Sequence, residues 1–321
     1  MRKKTAAVLG CGNMSTVVHL PILAAMPDVE IVALCDLRRE SLAAAAQRFP
    51  SASAFTDAST FARETRADAL LIIVPPQNLL DALRASLDVA QTALFVEKPL
   101  GFDYGEAKEI AALAGGELAT FCGFNRRYWP GLGVLRSLLR DHGPLTHLEV
   151  TFFKHSEDRE HWWTPAQSLV YSEMCHAIDL AIEVGGPVAR STFQTRAQNA
   201  GVTDLLIGIG TFGSGATWNL ICNFGSGNQR STVVAHVRGM RFELIDASRL
   251  TVFFGNKTQE FFDIGSDLPQ FWREGYGYQW REFLRMIHEP PGERPRGFLR
   301  ELQTMQLCAQ ALRGPELPPA M

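Results

Sequence analysis

Over the first 122 residues, short unbroken apolar runs alternate with amphipathic stretches. The runs TAAVLG (5–10), EIVALCD (30–36), ALLIIVP (69–75), TALFVEKP (92–99) and LATFCGF (118–124) predict strands. Val, Ile and Leu without in-and-out alternation suit strands covered on both faces, as in a parallel sheet. Between them, residues 15–26, 38–49, 78–90 and 104–115 carry helical spacing. Repeated strand–helix–strand units predict a doubly wound, Rossmann-type domain.

The texture changes after about residue 145. Strands are predicted at 145–155, 191–198, 204–212, 216–224, 231–237, 240–246 and 250–255, joined by Gly, Ser and Asn turns. One helix, at about 166–184, is inserted early, and helical patterns at 276–288 and 296–313 close the chain. Consecutive strands without intervening helices predict a largely antiparallel, open-faced sheet. The expected organisation is therefore α/β, with a dinucleotide-binding domain over 1–124 and an α+β substrate and oligomerisation domain over 125–321. The C-terminal helix is free to pack back on the first domain.

Composition narrows the function classes. Of 321 residues, 46% are hydrophobic and 20% charged, with a formal net charge of −3. That balance gives no electrostatic footprint for nucleic acid or an anionic membrane. No apolar run reaches the ~18 residues of a membrane span. The opening MRKKTAAVLGCG mimics a secretion signal, but its apolar run is short and ends in glycines. Six scattered cysteines, with no CxxC or Cys/His cluster, predict no metal and no disulfide framework, and fit a reducing cytoplasm.

The chemistry begins after the first strand. VLGCGNMS places Gly10, Gly12 and Ser15 in a G-x-G-x-x-S pattern, with Asn13 and Met14 opening the next helix. Gly10 permits a tight turn, and Gly12 lets the backbone approach a pyrophosphate at the helix N-terminus. Ser15 stands where Gly or Ala is usual. The second strand ends in Asp36, placed to accept from ribose hydroxyls, so the joint pattern outweighs a plain glycine turn with a surface aspartate. Asp36 favours NAD; Arg38 and Arg39 keep NADP open, since either could reach a 2′-phosphate. Pro75, Pro76 and Asn78 end the third strand, where a loop would meet the cofactor or simply stop the strand. Lys98 ends another apolar strand beside Glu97, a position suited to steadying an alkoxide or to an ordinary salt bridge.

These stretches, followed by FNRRYWPG and CHAIDLAIEVGG, resemble the Gfo/Idh/MocA family of oxidoreductases, most specifically in VEKPL. The resemblance implies a Rossmann domain, an open-faced sheet that often forms an oligomer interface, a bound nicotinamide dinucleotide and a sugar, cyclitol or nucleotide-sugar substrate. It implies Lys98 beside the nicotinamide and substrate, and His176 as acid/base followed by Asp179. Where the family commonly has an aspartate four residues before the histidine, this chain has Ser172. Asn125 and Arg126 would face substrate and cofactor, and Trp163 in the aromatic and polar segment FKHSEDREHWW would contact substrate with Arg159, His161 or Trp162.

Periodicity alone makes His176 a core histidine; its place in the family pattern makes it the proton carrier. With a serine at 172, Tyr171, Glu173, His155 or His161 are alternative helpers. The expected activity is NAD(P)-dependent hydride transfer at a carbinol, ketone or imine carbon, by a homo-oligomer in the cytoplasm. The alternative is a dinucleotide-binding sensor that keeps the fold without catalysis.

Overall fold

The computed structural model describes residues 3–116, 118–155, 169–197, 203–255, 258–315 and 317. It folds into two compact units, Met1–Phe124 with Tyr276–Leu302, and Asn125–Gly275 with Gln303–Met321.

The first unit is built on β1 (Lys4–Leu9), β2 (Val29–Cys35), β3 (Ser53–Phe55), β4 (Ala67–Ile72), β5 (Ala90–Val96) and β6 (Ala119–Cys122). All pair in parallel, in the order β3-β2-β1-β4-β5-β6, the doubly wound arrangement expected. Its central strands are buried on both faces, as their unbroken apolar runs require. Helices α1 (Leu20–Ala24), α2 (Arg39–Arg48), α3 (Ala58–Glu64), α4 (Leu79–Ser86) and α5 (Tyr104–Leu113) make the connections. The helix expected over 15–26 is composite, because a π-turn at Ser15–His19 leads into α1. β3 and α3 were not expected from the pattern.

The second unit opens with a tight turn at Asn125–Tyr128 and α6 (Pro130–His142), also unexpected. Then come β7 (His147–His155), α7 (Cys175–Gly185), β8 (Val188–Ala197), β9 (Thr203–Phe212), β10 (Thr217–Asn223), β11 (Gly225–Val237), β12 (Met240–Ile245), β13 (Arg249–Phe254), β14 (Thr258–Asp263) and α8 (Gln270–Arg273). The sheet has the order β14-β13-β12-β11-β7-β10-β9-β8. Its neighbours are antiparallel except for β7 and β10, which run in parallel. One face is covered: α7 lies against β7 and β10. Alternating exposure along β7, β10 and β12 marks the other face as more open.

Helix α9 (Tyr276–His288) belongs to the first unit, and the division falls within α10 (Leu299–Leu312). Trp280 and Phe283 of α9 pack on Phe95 of β5, with ring centroids 4.5 and 5.7 Å apart, and Phe283 also meets Phe121 of β6. Each such aromatic pair contributes about 1 kcal/mol beyond simple burial.

Candidate functional site

In the first unit the ladder runs one residue past several strands and gathers the expected residues along a single edge. Gly10 N donates to Cys35 O at 2.8 Å, Ile73 N to Leu9 O at 2.8 Å, Glu97 N to Ile72 O at 3.0 Å and Gly123 N to Val96 O at 2.9 Å. Because all six strands are parallel, these are their carboxyl ends, where open α/β sheets bind ligands. Pro75 and Asn78 follow β4 on the same edge, Pro75 half-buried and Asn78 exposed.

Gly10 adopts φ +100°, and a Cβ there would lie 2.2 Å from Ile73 O, so the turn admits no side chain. Ser15 is fully buried, and its hydroxyl donates to Gly10 O. It therefore tightens the loop from behind rather than facing a ligand. Asn13 is exposed and Met14 half-buried at the mouth of the loop. Asp36 joins this loop to α2. One carboxylate oxygen accepts from Cys11 N at 2.7 Å, and the other accepts from Arg38 N at 2.8 Å. The Arg38 guanidinium reaches across the loop, since a Cβ at Gly12 would stand 3.1 Å from its Nη2. Leu37 between them is 82% exposed.

These parts fit a dinucleotide. Backbone amides at a helix start suit phosphates, the half-buried Asp36 suits ribose hydroxyls, and the glycines leave room for both. The neighbouring thiols are chemically quiet. Burial, with Asp36 adding, pushes Cys11 up to about 12 and Cys35 up to about 11.

Lys98, half-buried, follows Glu97 at the end of β5 and is joined to Pro99 by a cis peptide. Glu97 is buried: its Oε2 accepts from Lys98 N at 2.8 Å and its Oε1 from His19 Nε2 at 2.8 Å. On the far side of the His19 ring, Trp280 Nε1 donates to Nδ1 at 3.1 Å. His19 and Trp280 were not singled out from the sequence. A lone histidine on the apolar face of a short helix was the available signal, and its partner lies 261 residues away.

In the second unit, His176 and Asp179 lie on α7, which is buried almost all round. His176 is 6% exposed and Ser172 is buried. Ser172 falls in a π-turn, Val170–Met174, so its spacing to His176 is not that of a regular α-helix. Glu173 of the same turn pairs with Lys154 of β7 at 3.0 Å. His155 is exposed and Tyr171 buried.

Three expected binding residues find partners inside this unit. Asp179 is 1% exposed; Arg127 Nε donates to its Oδ2 at 2.8 Å, Arg127 Nη2 to its Oδ1, and Thr304 Oγ1 to Oδ1 at 3.1 Å. A carboxylate so enclosed is a strut for α7 rather than a substrate ligand. Glu183 and Arg136 extend the network, and Arg136 also donates to Arg127 O at 2.8 Å. Asn125 donates to Glu274 O at 2.8 Å, tying two segments of this unit. Arg126 lays its guanidinium on Phe152, 3.9 Å from the ring centroid, and donates to Ser231 Oγ at 2.8 Å. Trp163, with Arg159, His161 and Trp162, lies outside the described residues.

Among the described residues, no group of three His, Cys, Asp or Glu side chains could hold a metal, and no helix is long and apolar enough to cross a membrane.

Comparisons with known proteins agree with this fold. Residues 4–121 match the Gfo/Idh/MocA model, described as an oxidoreductase family with an NAD-binding Rossmann fold. An uncharacterized oxidoreductase of Schizosaccharomyces pombe is 28% identical over 203 residues, covering 60% of this chain and 54% of that protein. The chain thus spans about half the length of the curated relatives it matches. Among solved structures, a dehydrogenase from Chromobacterium violaceum superposes with a TM-score of 0.87 at 19% identity, covering 98% of this chain and 95% of that one. Levoglucosan dehydrogenase in complex with NADH gives a TM-score of 0.82 at 15% identity, covering 97% and 96%. At such identities the likeness to solved structures shows the fold alone. Residues 4–121 thus resemble the Gfo/Idh/MocA oxidoreductases, and the full described length carries the fold those structures share.

Proposed function

We propose that the chain is an NAD(P)-dependent oxidoreductase acting at a carbinol, ketone or imine carbon of a sugar, cyclitol or nucleotide-sugar-like substrate. The observation that carries the reading is the carboxyl edge of the first sheet. There Gly10, Gly12, Asp36 and Lys98 follow parallel strands held in one ladder. Levoglucosan dehydrogenase, with its bound NADH, supports both the cofactor and the substrate class.

When bound, a nicotinamide dinucleotide supplies a hydride donor or acceptor. The amides of Gly12, Asn13 and Met14 receive its phosphates, and Asp36 receives its ribose hydroxyls. A carboxylate there repels a 2′-phosphate, so NAD is favoured; Arg38, reaching over Gly12, is the residue that would hold NADP. Lys98 steadies the reacting oxygen as charge develops on it. His176 takes the hydroxyl proton or returns it. With Ser172 in place of an acid, no carboxylate at 172 charges the ring, which suits protonating an alkoxide better than deprotonating an alcohol. The reading places the protein in the cytoplasm as a homo-oligomer, in keeping with the exposed Ile209 (57%) and Phe261 (62%) on sheet strands.

Fluorescence titration with NADH and NADPH, followed by turnover on a panel of ketosugars and cyclitols, tests this. NADH is expected to bind at least tenfold more tightly than NADPH, a difference of about 1.4 kcal/mol. Lys98→Ala and His176→Ala are expected to lose turnover while keeping that affinity. Dinucleotide binding with no turnover on any substrate would favour a sensor instead, and tighter NADPH would transfer the specificity role from Asp36 to Arg38.

A further inference from the structure

The geometry points to Trp280 and His19 as positioning residues that act on Lys98 through Glu97, an inference that rests on the role given to Lys98 above. Four groups of the first unit form one chain of hydrogen bonds. The Trp280 indole N–H donates to His19 Nδ1 at 3.1 Å, His19 Nε2 meets Glu97 Oε1 at 2.8 Å, and Glu97 Oε2 accepts from the Lys98 amide at 2.8 Å.

The direction of each bond follows from what each group can do. An indole nitrogen only donates, so His19 Nδ1 carries no proton. The ring is therefore the neutral tautomer protonated at Nε2, and that proton points at the Glu97 carboxylate. Glu97 in turn has each oxygen occupied by a separate donor, one on a helix and one on the loop that carries Lys98.

Packing fixes the same arrangement. His19 is fully buried, with edge-on contacts to Phe95, Tyr276 and Trp280 at 5.8, 5.9 and 5.5 Å. A Cβ at Gly123 would lie 2.8 Å from Glu97 Oε1, so the carboxylate lies directly against the end of β6. The π-turn Ser15–His19 delivers His19 to this place from the glycine loop. The loop that receives the dinucleotide and the strand end that carries Lys98 are thereby tied through one imidazole. Displacing a reacting group by about 1 Å costs on the order of 100-fold in rate, so a strut of this kind acts on turnover before it acts on binding.

The test combines a spectrum that needs no substrate with a kinetic split. Ring ¹⁵N NMR of the full chain at neutral pH is expected to show His19 as the Nε2–H tautomer. Trp280→Phe, which keeps an aromatic ring but removes the donor, is expected to lose that signature. His19→Leu is expected to lower kcat between tenfold and about 100-fold while NADH affinity, read by fluorescence, is unchanged. His19→Gln, whose amide can still donate to Glu97, is expected to recover most of the loss. An Nδ1–H or charged ring in the unaltered chain would overturn the inference. So would full turnover in His19→Leu, or no recovery in His19→Gln, while Lys98→Ala is inactive. Normal turnover in Lys98→Ala would instead remove the role of Lys98 itself, and the inference about what the chain of bonds serves with it. The ring spectrum still decides whether that chain exists.

Discussion

Asp36 and Asp179 are both aspartates on which the sequence pattern placed a binding role, and the structure surrounds them differently. Asp36 is half-buried at a strand end, accepts two backbone amides and meets the exposed Arg38 guanidinium at 3.6 Å. Asp179 sits inside a helix layer, closed in by Arg127 and Thr304. A carboxylate held by backbone amides and one exposed, solvent-screened guanidinium keeps more freedom to meet a ligand. One met by a guanidinium on both oxygens has its hydrogen-bonding capacity taken up by the fold. The same residue type stands at the ligand-binding edge of the sheet in one unit and is closed into the fold in the other.

The largest expected effect breaks this comparison at Asp179. Asp179→Ala removes the bidentate partner of buried Arg127 and leaves it only the longer contact to Glu183 at 4.0 Å, a change that costs about 3 kcal/mol. Urea denaturation followed by circular dichroism measures it, and NADH affinity is expected to stay the same. Asp36→Ala should do the reverse. Its stability cost is about 1 kcal/mol, while NADH affinity drops on the order of tenfold as charge-assisted hydrogen bonds are lost. Two variants that failed to cross over in this way would show that the carboxylates have been assigned the wrong roles.

The smallest effect sharpens the comparison through the thiols beside Asp36. Cys11 and Cys35 are held protonated in the folded chain, first by burial and then by the Asp36 charge. On unfolding they return to an ordinary value of about 8.5, so the unfolded chain loses those protons first as pH rises. Stability is therefore at its full value below that pH and falls above it, by roughly 1 kcal/mol per thiol for the first pH unit. The fall continues until the folded values, about 12 and about 11, are reached. Denaturation at mildly acidic and alkaline pH reads the slope, and Asp36→Ala is expected to end the fall at a lower pH, since the Asp36 charge helps hold both folded values up.

The parallel sheet was legible because a strand buried on both faces must be an unbroken apolar run, and such runs are conspicuous. β3 was missed because three residues, Ser-Ala-Phe, carry no pattern. α6 was missed because Gly131 and Gly133 interrupt its first turns, yet tertiary packing on β12 and β13 outweighs that propensity. β14 was missed because TQEFFD mixes polar and aromatic residues without clear alternation. In the site, Gly10, Gly12 and Asp36 were legible as a local motif with one backbone consequence. The partners that decide Asp179 and His19 were not, since Arg127 and Trp280 lie 52 and 261 residues away. Local spacing finds residues whose placement is fixed by nearby backbone; it does not find side chains whose work is set by distant partners.

The two π-turns carry a consequence for lineage. A π-turn accommodates one residue more than the α-helical register around it. Deleting a single residue within 15–19 would let the first helix straighten, and everything after the deletion would rotate by about 100°. His19 would then leave Glu97, although every residue of the chain of bonds was still present. The same holds for 170–174 and His176. A relative that keeps each of these residues but is one residue shorter in either stretch would have inherited the letters of the site without its geometry.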